Sequence, residues 1–190
     1  MKKLLILLTL FVANIVQADV VGFRAAGGVF DYSVSGTIRS SADVADTIDV
    51  KSVLGWKDDQ DTLGYVYFEH PVPIIPNVRF GVTSLKLAGT GNTGSGFTFA
   101  GTPFPGGQSI TSSFDMSHTE IALYYELLDN VVSLDLGINA KLFDGNVSLT
   151  SGAASEVITF NETVPMLYLG AAVSLPLTGL TIFIFSGINI

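Results

Sequence analysis

Residues 110–145 contain two adjacent segments in which apolar and polar residues alternate strictly. In residues 132–142 every second residue is apolar, the residues between them are mostly polar, and residues 119–127 repeat this pattern. A period of two is that of a β-strand, whose successive side chains point to opposite faces. Asp129 and Asn130 separate the two runs, and such a pair predicts a two-residue hairpin turn. We therefore expect strands with one apolar and one mostly polar face.

The turn also predicts which residues face each other across the hairpin. With Asp129 and Asn130 as the two loop residues, Leu128 lies opposite Val131 and all other pairs follow. A slip by one residue would exchange the two faces along the whole hairpin. The expected pairs are Ile121 with Ile138, Leu123 with Leu136, Glu120 with Asn139, and His118 with Lys141.

The first eighteen residues have the three regions of a secretory signal peptide. Lys2 and Lys3 precede the apolar residues 4–16, and Val16-Gln17-Ala18 offers small or medium residues at the cleavage positions. The apolar run is shorter than the roughly 20 residues of a membrane-spanning helix. We predict a signal peptide over residues 1–18 and one exported domain over residues 19–190.

Composition narrows the class of that domain. Only 14% of residues are charged, 48% are hydrophobic and the mean hydropathy is +0.50, whereas soluble domains carry about 25% charged residues. Residues 164–190 are the one charge-free stretch long enough for a spanning helix, but three breakers (Pro165, Pro176 and Gly179) interrupt them. High hydropathy behind an export signal, without a spanning helix, predicts a closed antiparallel β-barrel in the outer membrane.

Charge and cysteine content exclude several function classes. The formal net charge is -8, which argues against nucleic acid as a partner. There are no cysteines, so disulfides and thiolate metal sites are absent. With two histidines as well, a transition-metal site is not expected, and we predict no cofactor.

Short and long connections alternate along the predicted barrel, as in outer-membrane barrels with short periplasmic turns and longer external loops. The predicted strands lie within residues 20–37, 62–70, 77–86, 110–128, 131–143, 156–175 and 180–190. The short connections are residues 71–76, 129–130 and 176–179, and the long ones are residues 40–60, 87–107 and 144–155. Residues 50–56 could add a short strand or a helical turn, and Phe97, Phe99 and Phe104 a strand extension or short hairpin.

The count of about seven strands is odd, whereas bacterial single-chain barrels have an even number. Residues 181–185 have lost the polar/apolar alternation. We therefore expect eight strands in an intact barrel, with the sequence truncated or frame-shifted near Leu180 and the last strand missing or incomplete.

Several short motifs bear a likeness to a known family. They are Tyr67-Phe68-Glu69-His70-Pro71-Val72-Pro73, Ile75-Pro76-Asn77, Leu134-Asp135-Leu136-Gly137, Asp144-Gly145, Val164-Pro165-Met166-Leu167-Tyr168 and Leu175-Pro176-Leu177-Thr178-Gly179-Leu180. With Gly27-Gly28, these resemble the Gram-negative outer-membrane β-barrel family named for a Gly-Gly pair, over about residues 19–180. The resemblance implies a small eight-stranded up-and-down barrel with a signal peptide and no assigned activity. Members close on a strand that ends in an aromatic residue, and residues after Leu180 depart from that pattern.

Alternation sorts the charged and apolar residues onto two faces. In a barrel of about eight strands the side chains fill the interior, and buried charges must be paired. The predicted interior charge cluster is Arg24, Glu69, Arg79, His118, Glu120, Glu126, Asp135 and Lys141. The predicted lipid-facing residues are Leu123, Tyr125, Leu134, Leu136, Ile138, Leu167 and Leu169. Trp56 and Tyr65, Tyr67, Tyr125 and Tyr168 are candidates for an interface girdle, although Tyr65, Tyr67 and Tyr168 fall on the inner face.

We predict an outer-membrane protein without catalytic activity, with a side-chain-plugged interior and a structural or surface-interaction role. A narrow channel for small solutes is a second interpretation, and a lipid-modifying enzyme, using His118 with Ser117, Glu120 and Ser112, a third. The third is disfavoured because Ser117 and His118, adjacent in a strand, point to opposite faces. The aspartates of residues 43–61 favour a solvated loop over a Ca²⁺ or lipopolysaccharide-bridging site. Expected partners are outer-membrane lipids and lipopolysaccharide, the barrel-assembly machinery and periplasmic chaperones during export, and an unknown surface ligand.

Overall fold

The chain folds as an all-β structure. A computed structural model describes residues 8–13, 21–39, 47–175 and 180–189, in which there is no helix and every paired strand is antiparallel. The all-β, antiparallel part of the prediction is therefore confirmed. The strands are β1 (Leu8–Ala13), β2 (Gly22–Tyr32), β3 (Thr37–Ile38), β4 (Ile48–Asp49), β5 (Asp59–Glu69), β6 (Asn77–Thr83), β7 (Lys86–Asn92), β8 (Gly96–Phe99), β9 (Thr102–Pro105), β10 (Ser109–Asp115), β11 (His118–Asp129), β12 (Val132–Ser151), β13 (Ala154–Leu175) and β14 (Leu180–Asn189).

Ten of these strands form one sheet. Its neighbours run β1, β2, β5, β6, β11, β12, β13, β14, while β10 pairs with the far half of β12 and β7 pairs with β10. Strands β6 and β7 follow each other in one row, and β10 and β11 do so in the next row. The ten strands therefore form eight rows, with β1 and β14 outermost among the described residues. Two small hairpins, β3–β4 and β8–β9, stand apart from it.

The central hairpin has a different register from the predicted one. Leu123 pairs with Ile138 and Glu120 with Lys141, two residues away from expectation. A bulge between Glu126 and Leu128 and a connection longer than two residues, closed by the Asp129–Ser133 pair, account for the shift. Because the shift is an even number of residues, each side chain keeps its predicted face.

Two predicted loops are largely strand. Within residues 87–107, β7 extends to Asn92, and the aromatic residues beyond it form the β8–β9 hairpin. In residues 144–155, β12 continues to Ser151 and pairs directly with β13, leaving a turn at residues 152–153. The glycine, serine and threonine content of these segments predicts loops. In the second segment, however, Val147 and Leu149 alternate with polar residues, which is the pattern of a strand.

The first rows of the sheet include part of the predicted signal peptide. Strand β1 lies within residues 1–18 and pairs with β2 from Leu8–Phe30 to Ala13–Ala25. Cleavage after Ala18 stays a prediction, and it would remove this partner from the edge of β2. The predicted cleavage site, the predicted turn at residues 176–179, and Asp43 and Asp46 lie outside the described residues.

Candidate functional site

The polar face of the sheet gathers most of the predicted charged residues. Glu120 on β11 is almost fully buried and forms an ion pair with the equally buried Arg79 of the neighbouring strand β6. From β12, the Lys141 ammonium lies 3.7 Å from the same carboxylate, and Asn139 Nδ2 donates a hydrogen bond of 3.2 Å to Glu120 Oε2. Two cations and an amide therefore share one buried carboxylate, so its charge is compensated.

Aromatic rings enclose the Arg79 guanidinium. Its central carbon lies 4.4 Å from the ring centroid of Tyr65 and 4.7 Å from that of Tyr168. Both distances are within the range of cation–π attraction. Tyr168 belongs to β13, and two rows, β11 and β12, separate β13 from β6. A side-chain contact across two rows requires the sheet to be strongly curved, with its polar face on the concave side.

A second ion pair lies nearer the end of the sheet that carries residues 70–76. Arg24 Nη2 is 2.8 Å from Glu69 Oε1, which also accepts a 2.8 Å hydrogen bond from the Tyr124 hydroxyl. The Arg24 guanidinium lies 4.5 Å from the ring centroid of Tyr67. The two ion pairs thus share one layer of tyrosines, which also includes the Tyr124–Tyr168 ring contact at 5.4 Å. We call Arg24, Glu69, Arg79, Glu120 and Lys141, with these tyrosines, the charged cluster.

His118 lies beside the charged cluster in a defined tautomer. Its Nε2 is 3.0 Å from Lys141 Nζ and its Nδ1 is 3.1 Å from the Met116 carbonyl oxygen. An ammonium only donates and a carbonyl only accepts, so Nε2 is the acceptor and Nδ1 carries the hydrogen. The imidazole is therefore neutral in this arrangement.

Two predicted members of the cluster lie apart from the ion pairs. Asp135 and Glu126 face each other across β11 and β12, and Glu126 is exposed. A methyl group added at Gly170 would lie 2.9 Å from Asp135 Oδ2, which places this carboxylate over a glycine. Within the described residues neither carboxylate forms an ion pair. The structure therefore brings six of the eight predicted residues into two groups of direct contacts, joined by the tyrosines. The groups are Arg24 with Glu69, and Glu120 with Arg79, Lys141 and His118.

The predicted lipid-facing residues lie on the opposite face. Leu134 is half-buried, and the other six are exposed. Their neighbours on β2, β5 and β6 are equally apolar and exposed, which gives a continuous apolar surface around the outside of the curved sheet. These exposed neighbours are Phe23, Val29, Val66, Phe68, Phe80 and Val82.

At the other end of the polar face, residues 50–56 fold onto the sheet as an apolar cap. Leu54 is fully buried and Trp56 nearly so. The Trp56 indole stacks on Phe114 at 5.7 Å between centroids and donates a 2.8 Å hydrogen bond to Ser112 Oγ. Ser112 Oγ in turn donates to the Leu54 carbonyl at 3.0 Å. Trp56 is therefore a packing residue of this cap, and its predicted place in an interface girdle is wrong.

The cap approaches the backbone of β7 closely. A side chain at Gly91 would overlap the Val53 carbonyl group, and one at Gly89 would overlap Gly55. Gly55 itself has a φ of 73°, a conformation that favours glycine. These three glycines let residues 53–55 lie flat against the strand.

Two carboxylates outside the sheet hold the ends of the cap. Asp58 Oδ1 lies 2.9 Å from the Lys51 ammonium and accepts a 2.8 Å hydrogen bond from the Val34 N–H, and these contacts lower the pKa of Asp58 to about 2. Asp49 accepts hydrogen bonds from the Ser52 N–H and hydroxyl and from the Lys51 N–H, which lowers its pKa below the usual value. Asp49 and Asp58 of the predicted acidic loop therefore shape turns, whereas Asp59 begins strand β5.

The serine–histidine set considered for catalysis is dispersed. Ser112 is buried under Trp56, and Ser117 lies between β10 and β11, where its hydroxyl accepts a 3.2 Å hydrogen bond from the Leu85 N–H. Alternation assumes that Ser117 lies in a strand with His118, whereas the structure places it outside the strands.

Among the described residues no group of three or more His, Asp or Glu could hold a metal ion. No helix there has the length and apolarity to cross a membrane.

The apolar cap is the part of the site that the sequence argument missed. The sequence marks it only by four apolar residues, Val50, Val53, Leu54 and Trp56, inside an otherwise acidic stretch.

Comparison with known proteins found no matching family model, no matching curated protein and no matching solved structure.

Proposed function

We propose that this chain is an integral outer-membrane β-barrel protein with a filled interior and a structural or surface-interaction role. The single observation that carries the proposal is the inverted distribution of its side chains. The buried face of the sheet holds paired charges, and the exposed face is apolar. A water-soluble sheet has the opposite arrangement, with its apolar face on the core.

The extent of the exposed apolar face supports a lipid environment. Leu123, Leu136, Ile138, Leu167 and Leu169 expose between 38% and 58% of their surface. Together with the exposed residues of β2, β5 and β6 they form a band wider than the scattered apolar residues of a soluble surface. An outward apolar band with a polar interior is the pattern of outer-membrane barrels.

The interior contacts support a filled barrel. The Arg79–Tyr168 contact across two rows fits the curvature of a small barrel, and the charged cluster and the apolar cap occupy its two ends. On this proposal the cap and the β8–β9 hairpin lie at the external end, where loops on a rigid scaffold carry recognition. Outer-membrane lipids, lipopolysaccharide, the barrel-assembly machinery and periplasmic chaperones are the proposed partners. Membership of the family named for a Gly-Gly pair belongs to the same proposal.

The proposal is tested by placing a charge on the apolar face. Leu136→Arg should cost about 2–4 kcal/mol of folding free energy in lipid vesicles, because a mid-membrane arginine must leave water. Val131→Arg, at the hairpin connection near the membrane boundary, is the matched control and should cost only about 0–1 kcal/mol. The measurement is urea unfolding in vesicles, with heat-modifiable gel mobility as the readout of the folded form. Equal small costs at both positions, in a chain that stays monomeric in buffer without detergent, would refute the membrane proposal.

Conductance separates the filled barrel from a channel. Because paired charges and the cap occupy the interior, the folded protein should give no steady openings in a planar bilayer. Regular, ion-selective openings of the unmodified chain would show that the protein is a narrow channel, and the structural role would be wrong.

A further inference from the structure

A cavity of about 330 Å³ lies beside the apolar cap. It is open on one side, and three parts of the chain line it. Tyr32 and the residues that follow β2 form one wall, the cap residues Val50 and Trp56 a second, and Leu85 and Leu87, at the step between β6 and β7, the third. The cavity is separate from the charged cluster, none of whose residues lines it.

The cavity exists because the strand rows part at this point. Strand β5 pairs with β2 as far as Asp59–Tyr32, but with β6 only from Leu63 onward. Among the described strands, β7 pairs along one edge, with β10, so its other edge is open to the cap. The Tyr32 hydroxyl bridges the gap with a 2.9 Å hydrogen bond to the Lys86 carbonyl oxygen. The space left behind this bridge is not filled by any strand of the described chain.

The lining has the chemistry of a small-molecule site. Val34, Val50 and Trp56 are nearly fully buried, and no charged side chain of the described residues lines the cavity. Its polar side chains are Tyr32, whose hydroxyl is bound to the Lys86 carbonyl oxygen, and Ser33, Ser35 and Thr37, which lie in the exposed segment at one side. Ligand pockets are typically clefts of about 300–1,000 Å³ with mostly apolar walls and a few polar groups.

We propose that this cavity binds a small molecule that is mostly hydrocarbon and carries one hydroxyl end. The hydrocarbon part packs between Trp56, Val50 and Leu87. The hydroxyl end lies toward Ser35 and Thr37, which can both donate and accept hydrogen bonds. A charged group among Trp56, Val50 and Leu87 would be desolvated without a counter-ion and is disfavoured. This site goes beyond the proposed function and does not depend on insertion into a bilayer.

The single tryptophan of the chain lines the cavity and reports its occupancy directly. The probe is octanol brominated at the chain end, since bromine quenches indole fluorescence on contact. The folded protein in detergent micelles should show saturable quenching as the probe is added. Val34→Phe and Leu85→Phe, which fill the cavity from two different walls, should each weaken the apparent affinity by at least about tenfold.

Leu123→Phe is the matched control, because it adds the same ring on the exposed apolar face and should leave the affinity unchanged. Two cavity variants are used so that loss of folding in one still leaves the other informative. Quenching that never saturates and rises equally in all variants would mean that the probe only partitions into micelles, and the proposal would be wrong. Saturable quenching that neither variant weakens would also overturn it. Because the assay runs in detergent, its failure is independent of failure in the vesicle experiment.

Discussion

The two ends of the concave face are built in different ways. The charged cluster comes entirely from strand side chains, such as Arg79 and Glu120, that meet because their strands are neighbours. The apolar cap comes from a connection that returns to the sheet and packs Leu54 and Trp56 onto it. Strand pairing therefore positions one end, and docking of a loop positions the other.

This difference has an energetic consequence. In the charged cluster each group depends on a specific partner, since a buried charge that loses its counter-ion is strongly destabilising. In the cap the stabilisation is spread over an apolar contact area that is not directional. Loss of one residue should therefore affect the whole sheet at the charged end and only the local structure at the capped end.

The largest effect is expected where the buried carboxylate is removed. Glu120→Ala leaves Arg79 buried without its ion-pair partner and should lower the free energy of unfolding by about 3–5 kcal/mol. The measurement is denaturant unfolding of the folded protein in detergent. Glu126→Ala removes an exposed carboxylate from the same strand and should change the free energy by less than about 0.5 kcal/mol.

A double variant tests whether the loss of stability in Glu120→Ala comes from the buried Arg79 charge that has lost its partner, rather than from the missing carboxylate itself. Arg79→Met combined with Glu120→Leu removes both charges at similar volume and should cost less than Glu120→Ala alone. If the double variant is instead as unstable as the sum of its single variants, the two side chains act independently and the contrast between the two ends is lost.

Period-two alternation was sufficient to predict which residues share the polar face, although not that Glu126 and Asp135 lie apart from the ion pairs. It placed Arg24, Tyr67, Glu69 and Arg79 on one face, and the structure puts them in contact there. This prediction was robust because a two-residue error in the hairpin register leaves every side chain on its own face. The register itself was not predictable, since the consecutive Leu127 and Leu128, which interrupt the alternation, fit the end of a strand as well as a bulge after Glu126.

The apolar cap could not be predicted in the same way. Residues 50–56 have neither a strand nor a helix period, and their burial depends on Ser112 and Phe114, more than fifty residues away in sequence. The glycines of β7 that permit the approach, Gly89 and Gly91, were interpreted as loop residues from their composition. A tertiary contact of this kind leaves no periodic signal in its own segment.

The second largest effect is expected at the cap. Leu54→Ala creates a cavity in a fully buried site and should cost about 2–3 kcal/mol, confined to opening of the cap. Lys51 and Lys57 flank Leu54, so trypsin cleavage at these residues of the folded protein measures that opening. Cleavage should become faster while the denaturant midpoint of the sheet changes little. Val131→Ala, at an exposed position of the hairpin connection, should leave the cleavage rate unchanged. A loss of sheet stability as large as that of Glu120→Ala would show that the cap and the sheet unfold as one unit.

The smallest effect is expected from the ion pair that holds the cap, and it depends on pH. Asp58 has a pKa of about 2 in the folded chain, against about 3.9 for an unfolded aspartate. A lowered folded pKa means that the carboxylate contributes stability above the unfolded pKa, and that this contribution is lost as the pH falls toward about 2. Trp56 fluorescence should therefore show the cap loosening between about pH 4 and pH 2.

In Asp58→Asn the cap should already be loosened at neutral pH, and the Trp56 fluorescence should change less with pH over that range. Asp31→Asn is the matched control, since Asp31 accepts a hydrogen bond from Gln60 Nε2 instead of holding the cap. If the two variants have the same acid profile, Asp58 does not hold the cap, and its low pKa reflects only local contacts in an exposed turn.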